Sequence, residues 1–214
     1  MPKPVIISLH LPKSGGTSMR ISLERQFGER ARFDYGRGPL GPDIDLVETS
    51  LPPHIALVHG HFRPARYLAA VPDAFWFTFL RHPVDLLISM YFFWQTMPFE
   101  GQDLHRRFLD EQPEIEAFAT WPRIQRFSSE TFFGGHDMGR FDFIGFHETR
   151  ADDMVRLNTL AGLTLDPGLH ENRTHSRDDP RAALVANPVR MARLHDLLAD
   201  DVRFYETVRA TRAA

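Results

Sequence analysis

A short run of small and polar residues near the N-terminus, residues 12–18, has the sequence Pro-Lys-Ser-Gly-Gly-Thr-Ser. It lies between a stretch rich in β-branched residues and a stretch with apolar residues at helical spacing, which predicts a loop between a strand and a helix. Such a loop presents unpaired backbone N–H groups and the positive end of the helix dipole, which together bind anions. The two glycines would let a phosphate or sulfonate approach the backbone, and Lys13 would add positive charge.

The same run has two other interpretations. A capped turn remains open, whereas the order of the residues disfavours a Walker A loop. A tight turn in which Ser14 or Thr17 caps the helix and Lys13 is solvated fits the pattern about equally well. A Walker A loop needs its lysine after the glycines, in the order Gly-x-x-x-x-Gly-Lys-Ser/Thr. Lys13 precedes Gly15 and Gly16, and this order counts against an ATPase or a kinase.

Arg81 and Ser89 form a second candidate anion site. Arg81 directly follows the apolar run at residues 74–80, and Pro83 suits the first turn of the helix that would carry Ser89. A guanidinium at the end of a strand offers a bidentate fork to a phosphate. Alternatively, Arg81 pairs with an acid such as Asp85. Two anion sites would indicate a nucleotide with two phosphate ends.

His59 and His61 flank a glycine at the end of another predicted strand, residues 55–59. A histidine with a pKa near neutrality suits the removal of a proton from an alcohol, so His61 is a candidate general base. Either histidine can also be an ordinary strand-end residue with a backbone hydrogen bond. We expect His59 to face away from His61 and to have only a supporting role in substrate binding.

Strand and helix patterns alternate along the chain and predict an α/β fold, a three-layer sandwich with a central, mostly parallel sheet. The predicted strands cover residues 5–10, 55–59, 74–80 and 141–146, and the predicted helices cover residues 19–27, 83–94, 148–160 and about 188–209. The remaining long stretches predict a connection at residues 28–53 and a broken helical region at residues 95–140. With 214 residues, the chain is expected to form a single domain over residues 1–214.

Composition argues against several kinds of partner. The net charge of −3 and the pI of about 6.4 disfavour bulk attraction to nucleic acid or to an acidic membrane. The chain has no cysteine, and its 11 histidines are scattered rather than set at ligand spacing, so we expect no disulfide and no metal site. The apolar runs are too short for a signal peptide or a membrane span, which predicts a soluble, cytoplasmic protein.

Several of these motifs, in order along most of the chain, resemble those of sulfotransferases that use 3′-phosphoadenosine 5′-phosphosulfate (PAPS). Residues 10–18 look like the P-loop that binds the 5′-phosphosulfate, especially that of the carbohydrate sulfotransferases. The segment from Arg81 to Ser89 is similar to the Arg-x-Pro-x5-Ser element that holds the 3′-phosphate, although His82 stands where Asp or Asn is common. His59-Gly60-His61 resembles the His-Gly-His of uronyl 2-O-sulfotransferases, in which the second histidine is proposed to take the acceptor proton.

Three weaker similarities concern the second half of the chain. Residues 141–148 resemble a family segment that ends a core strand and starts a helix, which supports the fold more than the chemistry. Arg126 lies in a region that in the family often faces the nucleotide or acceptor, and a solvated basic face is an equal alternative. Residues 170–177 resemble a loop near the nucleotide, where Arg173 and Thr174 would be the contacts.

The resemblance implies an enzyme that moves a sulfonate group from PAPS to an acceptor hydroxyl, expected to be that of a carbohydrate, with PAP as product and without a metal. Lys13 and His61 would be catalytic, and His59 and Arg126 would contact the substrate. The residues expected to bind PAPS are Lys13, Ser14, Gly15, Gly16, Thr17, Ser18, Arg81, Ser89, Arg173 and Thr174. The alternatives are a P-loop nucleotide kinase or NTPase and a non-catalytic module that binds a nucleotide or a sugar.

Overall fold

The computed structural model describes residues 5–36, 46–168 and 180–213, and within these ranges five short strands form one parallel sheet. The order across the sheet is β2-β3-β1-β4-β5. The strands are β1 (Ile6–Leu9), β2 (Ala31–Asp34), β3 (Leu57–Gly60), β4 (Phe75–Leu80) and β5 (Phe143–Phe146).

Ten α-helices lie within the same described ranges. They are α1 (Gly16–Phe27), α2 (Ala65–Leu68), α3 (Pro83–Trp94), α4 (Asp103–Glu111), α5 (Ile115–Ala119), α6 (Pro122–Gln125), α7 (Arg150–Ala161), α8 (Pro180–Val185), α9 (Pro188–Leu197) and α10 (Ala199–Ala213). A short π-helix, Phe127–Phe132, follows α6.

Four of the five strands, β1, β3, β4 and β5, are mainly apolar and are buried on both faces. All residues of β1, β3 and β5 are buried, as are all residues of β4 except Phe75. Parallel sheets have this character because helices cover both of their faces. The structure thereby confirms the predicted α/β fold with a central parallel sheet.

The strand order reverses beside the loop that follows β1, and such a reversal is a common position for a ligand site. The connection after β1 leads toward β2 at one edge of the sheet, and the connection after β4 leads toward β5 at the other edge. Because β1 and β4 are neighbours, the order reverses between them, and in open α/β sheets ligands bind beyond the carboxyl ends of strands at such a point. The loop at residues 10–15 begins at this end of β1.

The chain divides into two compact units. The first comprises Met1–Leu80 and Gly135–Glu171 and contains the whole sheet with α1, α2 and α7. The second comprises Arg81–Gly134 and Asn172–Ala214 and contains the other helices. The expectation of a single domain over residues 1–214 stays a prediction.

In the first unit, the core packs two helices against the sheet. Met19 and Leu23 of α1 and Met154 and Leu157 of α7 are buried in one cluster with apolar side chains of the strands, among them Phe77. Burial of such side chains stabilises the fold by about 1.5–3 kcal/mol each. This packing fixes the start of α1, and so the loop before it, at the carboxyl end of β1.

In the second unit, aromatic side chains and one buried carboxylate organise the helices. Trp94 packs against Phe108 and Phe118, with ring centroids 5.5 and 5.2 Å apart. Asp201 accepts hydrogen bonds from the backbone N–H groups of Ser128 and Ser129, both at 2.8 Å, and so satisfies the start of the π-helix.

Two sequence-based expectations about the elements were wrong. Residues 28–53 were expected to form a connection, but they contain β2, because its sequence Ala-Arg-Phe-Asp has neither strong strand propensity nor clear alternation. The helix expected at about 188–209 is two helices, α9 and α10, separated at Leu198.

Candidate active site

The loop between β1 and α1, residues 10–15, has the backbone form of an anion site and is called the anion loop below. Lys13 and Gly15 have left-handed φ angles of 64° and 95°, and Gly15 is the N-cap of α1. Turns that contain left-handed residues gather N–H groups around an anion, and for a lysine this conformation is uncommon and costs energy. Within the described ranges, no side chain caps the first turn of α1. Its N–H groups and the helix dipole therefore remain available to a ligand.

The serine hydroxyls of the loop hold the loop itself. Ser14 is buried, and its hydroxyl donates to the carbonyl of Leu11 at 2.5 Å. The hydroxyl of Ser18, also buried, donates to the carbonyl of Gly15 at 3.3 Å. Thr17 is exposed within α1. Neither Ser14 nor Thr17 caps the helix, so the geometry does not match the capping interpretation of the loop.

His10 lies directly against the start of α1, where the second glycine of the loop makes room for it. A Cβ atom added at Gly16 would lie 1.8 Å from Cε1 of His10, so only glycine fits here. The backbone N–H of His10 donates to the carbonyl of Gly60 at 2.8 Å, which ties the loop to the end of β3. Glycine is thus required at position 16 because the His10 ring packs against it, and not only because an anion would approach the backbone there.

Four polar side chains alternate along two neighbouring strands and form one cluster. In the register of β1 and β3, Ser8 lies opposite His59, and His10 and His61 follow two positions later. Ser8 Oγ is 2.8 Å from Nδ1 of His59, and Nε2 of His61 is 3.0 Å from Nδ1 of His10. The His10 ring also stacks on His59, with centroids 5.4 Å apart.

This cluster corrects the expectation that His59 faces away from His61. Both rings contact His10, at centroid distances of 5.4 and 4.6 Å. The reason is the two-residue period of strands, which places the side chains at alternate positions on the same face. Gly60 between them allows a close approach of β2, because a Cβ atom there would lie 1.7 Å from the carbonyl oxygen of Asp34.

Burial keeps all three histidines neutral at neutral pH. Burial and, second, the charge of Lys13 lower the pKa of His10 to about 3. Burial, followed by the nearby His10 and His59, lowers the pKa of His61 well below its usual value. Burial, followed by His10 and Arg20, lowers the pKa of His59 in the same way. The expected pKa near neutrality is thus not met: a neutral His61 can accept a proton, but its lowered pKa makes it a weaker base than a free imidazole. Its hydrogen bond to His10 fixes its orientation.

Tyr35 and Arg20 flank the histidine cluster. The Tyr35 ring meets His61 edge-on at a centroid distance of 4.7 Å. The guanidinium of Arg20, on α1, lies 5.4 Å from the centre of the Tyr35 ring, and burial raises the pKa of Tyr35. Neither residue was singled out from the sequence. Tyr35 follows β2, which was not predicted, and only that strand would have brought it to this end of the sheet.

A buried arginine from the opposite side of the first unit also reaches the loop. Nη2 of Arg150 donates to Ser18 Oγ at 2.7 Å and to the carbonyl of Gly15 at 3.3 Å. Arg150 is the first residue of α7, just after a segment that was assigned to the fold rather than to the chemistry. Nothing in the local sequence pattern separates it from the solvated arginines of other helices.

The other predicted site residues belong to the second unit or lie outside the described residues. Arg81 and Ser89 are half-buried, and Ser89 lies on α3, which begins at Pro83 as predicted. The guanidinium of Arg126 is partly exposed and pairs with Glu130 and Asp200 at 2.7 and 3.0 Å, as a solvated basic face would. The predicted contacts Arg173 and Thr174 lie outside the described ranges.

The described parts of the chain contain neither a metal-binding group nor a membrane-spanning helix, and a cavity in them lies away from the loop. In residues 5–36, 46–168 and 180–213, no group of three His, Asp or Glu side chains is arranged to hold a metal ion. Nor is any helix in those ranges long and apolar enough to cross a membrane. A cavity of about 340 Å³ lies beside Ala74 and Trp76 at the amino end of β4, away from the anion loop.

Two solved structures are distantly similar to the chain. No protein-family model matches the chain, and no curated protein matches it in sequence. A sulfotransferase from Alicyclobacillus acidocaldarius is similar in structure, with a TM-score of 0.40 and 14% identity, over 93% of this chain and 97% of that one. The mouse sulfotransferase SULT7A1, crystallised with PAP, is similar with a TM-score of 0.43 and 10% identity, over 99% of this chain and 87% of that one. At TM-scores below 0.5, these similarities do not support a functional assignment by themselves.

Proposed function

We propose that the protein is a sulfotransferase that moves a sulfonate group from PAPS to an acceptor hydroxyl. The observation that carries the proposal is the packing of the His10–His61 pair on an anion loop whose helix has no side-chain cap. A histidine that can accept a proton thus lies beside a loop suited to an oxyanion, which supports transfer of an anionic group to an alcohol.

The residues of the loop fit the 5′-phosphosulfate end of the donor. The N–H groups at the start of α1 would bind its oxygens, and the ammonium group of Lys13 would neutralise the charge that develops on the departing phosphate oxygen. When bound, PAPS supplies the sulfonate group, which moves to the acceptor oxygen while the bridging oxygen stays with the phosphate of PAP.

His61 would take the proton of the acceptor hydroxyl. It is neutral because burial lowers its pKa, and His10 holds one of its ring nitrogens. We propose that Arg81 and Ser89 bind the 3′-phosphate, since a guanidinium and a hydroxyl suit that group. The acceptor is proposed to be a carbohydrate, a choice supported by the resemblance of residues 59–61 to the His-Gly-His of uronyl 2-O-sulfotransferases.

Sulfonate transfer from radiolabelled PAPS tests this function. The wild-type protein is offered a panel of carbohydrates and simple alcohols, and His61→Ala is compared with it. We expect His61→Ala to lower turnover by roughly 10²–10⁴, the usual effect of losing a general base, with PAP affinity nearly unchanged. His54→Ala is the matched control, because His54 is exposed in the same unit and its loss should leave turnover unchanged.

Two results would contradict the proposal. Transfer by His61→Ala as fast as by the wild type would show that His61 is not the base. Transfer of phosphate from ATP by the wild type, without transfer from PAPS, would instead indicate a P-loop nucleotide kinase.

A further inference from the structure

Arg150 is a buried cation attached to the anion loop. Its residue exposure is only 8%, although it lies at the start of α7. One end of the guanidinium donates to Ser18 Oγ and to the carbonyl of Gly15. Nε is buried and has no hydrogen-bond partner among the residues that the structure describes, and it points at the loop, since a Cβ atom added at Gly15 would lie 2.8 Å from it.

No carboxylate in the described ranges neutralises this guanidinium. The nearest acid on its own helix that is buried, Asp153, accepts instead from the N–H of Phe146 at 2.9 Å and from Thr149 Oγ1 at 2.7 Å. Burial lowers the pKa of Arg150. A buried charge without a counter-charge is costly, and proteins keep one mainly where a ligand or a partner compensates it.

We infer that Arg150 is a built-in counter-charge of the anion loop, which compensates the phosphate or sulfonate bound at the start of α1. Two independent observations support this inference. The first turn of α1 has no side-chain cap, and a buried cation donates hydrogen bonds to Gly15 and Ser18. The inference rests on the proposed function only in the chemistry of the ligand, a phosphate or sulfonate group.

Arg150 and Lys13 would have different tasks at the same anion. Lys13 is half-buried on the loop, with a long flexible side chain that can follow a group as it is transferred. Arg150 is fixed before the ligand binds, so its charge is in place without further rearrangement. Its charge stabilises the anion that the loop binds, and we assign it no contact with the reacting atoms, so it is a positioning residue rather than a catalytic one.

The melting temperature of the ligand-free protein distinguishes a merely structural role of Arg150 from the role of a counter-charge. If its value lay only in tying Gly15 to Ser18, Arg150→Met should lower the melting temperature. If it is an uncompensated charge, Arg150→Met should leave the melting temperature of the free protein unchanged or raise it. The variant leaves no orphaned group in the loop, because Ser18 Oγ still donates to the carbonyl of Gly15.

The experiment measures thermal unfolding and binding with two probes, inorganic pyrophosphate and PAP. We expect Arg150→Met to lose about 10- to 100-fold in affinity for both, as expected when a charge-assisted interaction is lost, and to lose most of the ligand-induced rise in melting temperature. Arg150→Lys should retain affinity within a few fold of the wild type. Arg156→Met, which removes an exposed arginine of the same helix, is the control and should bind like the wild type.

The outcomes separate this inference from the proposed function. Equal affinity of Arg150→Met and the wild type for pyrophosphate overturns the inference, and so does a lower melting temperature of the free variant with an unchanged response to ligand. If the wild type binds pyrophosphate but not PAP, the proposed function fails, while the loss of pyrophosphate binding in Arg150→Met still supports the role of Arg150. If the wild type binds neither probe, both fail.

Discussion

Nε2 of His61 lies 3.0 Å from Nδ1 of His10, and the ring of His10 lies against Gly16 at the start of the anion loop. When both rings are neutral, only one of the two nitrogens carries the hydrogen that they share. His61 has a free lone pair to accept a proton only when its Nε2 carries the shared hydrogen and donates it to Nδ1 of His10, because the lone pair is then on Nδ1 of His61. His10 contacts both the candidate base, His61, and the start of the anion loop.

The first prediction concerns His10 as the residue that orients His61. His10→Ala should lower kcat by about 3- to 10-fold, the effect of one lost hydrogen bond, with little change in PAP affinity. His10→Asn should restore most of kcat, because its amide can occupy the position of Nδ1. The measurement is steady-state turnover together with PAP titration. An equal kcat for His10→Ala and the wild type would show that His61 needs no such partner.

The second prediction concerns the stability of the fold in acid. The folded protein keeps His59, His10 and His61 neutral, with the pKa of His10 at about 3, whereas the unfolded chain takes up protons below about pH 6.5. Stability is therefore complete above pH 6.5 and is lost as the pH falls below it. Each such histidine costs up to ~1.4 kcal/mol per pH unit in the free energy of unfolding.

Urea unfolding between pH 7.5 and pH 5, a range chosen to bracket that transition, measures this slope. His59→Asn should reduce the slope by the contribution of one histidine, because His59 is fully buried. His54→Asn, a substitution at an exposed position, is the control variant. A free energy of unfolding independent of pH in the wild type would mean that these histidines take up protons in the folded protein at the same pH as in the unfolded chain, which contradicts their lowered pKa values.

The third prediction concerns the glycine next to His10. Gly16→Ala places a methyl group 1.8 Å from the imidazole, and the resulting displacement should lower the free energy of unfolding by ~1–3 kcal/mol and weaken anion binding. Gly168→Ala is the control, because the nearest atom to its added Cβ, Oδ1 of Asp166, lies at 3.4 Å. Denaturant unfolding compares the two. Equal stability of both variants would contradict the close packing of His10 on the loop.

The fourth prediction tests the second anion site. Arg81→Ala should weaken PAP binding by ~1–3 kcal/mol, the cost of a lost charge-assisted hydrogen bond, and should affect pyrophosphate less because that anion has no 3′-phosphate group. Arg203→Ala removes an exposed arginine of the same unit and should change neither affinity. If Arg81→Ala binds PAP as tightly as the wild type does, the 3′-phosphate lies elsewhere.

The sequence predicted most of the fold because its strands are strongly apolar and its loop residues are distinctive. Helix α3 begins at Pro83 and ends at Trp94, as expected, since proline marks a first turn. Strand β2 was missed because its four residues carry no pattern, and only pairing with β3 makes them a strand. Without β2, Tyr35 could not be placed beside the histidines.

The candidate site was only partly predictable, because several of its contacts join residues far apart in the chain. The glycine-rich loop and His61 were predicted as site residues from their types and spacing, and in the structure both contact His10. Ser8 and His10 did alternate along a predicted strand, a signal that could have indicated a polar cluster. Arg150 is 132 residues from its partner Ser18, and no local pattern reports such a contact.

Calorimetric titration of the wild-type protein with PAP and, separately, with ATP tests the proposed donor site most directly. We expect one PAP to bind per chain, ATP to bind more weakly, and Lys13→Met to weaken PAP binding because it removes a positive charge from the loop. Absence of PAP binding, or tighter binding of ATP than of PAP, would contradict the assignment of this loop to PAPS.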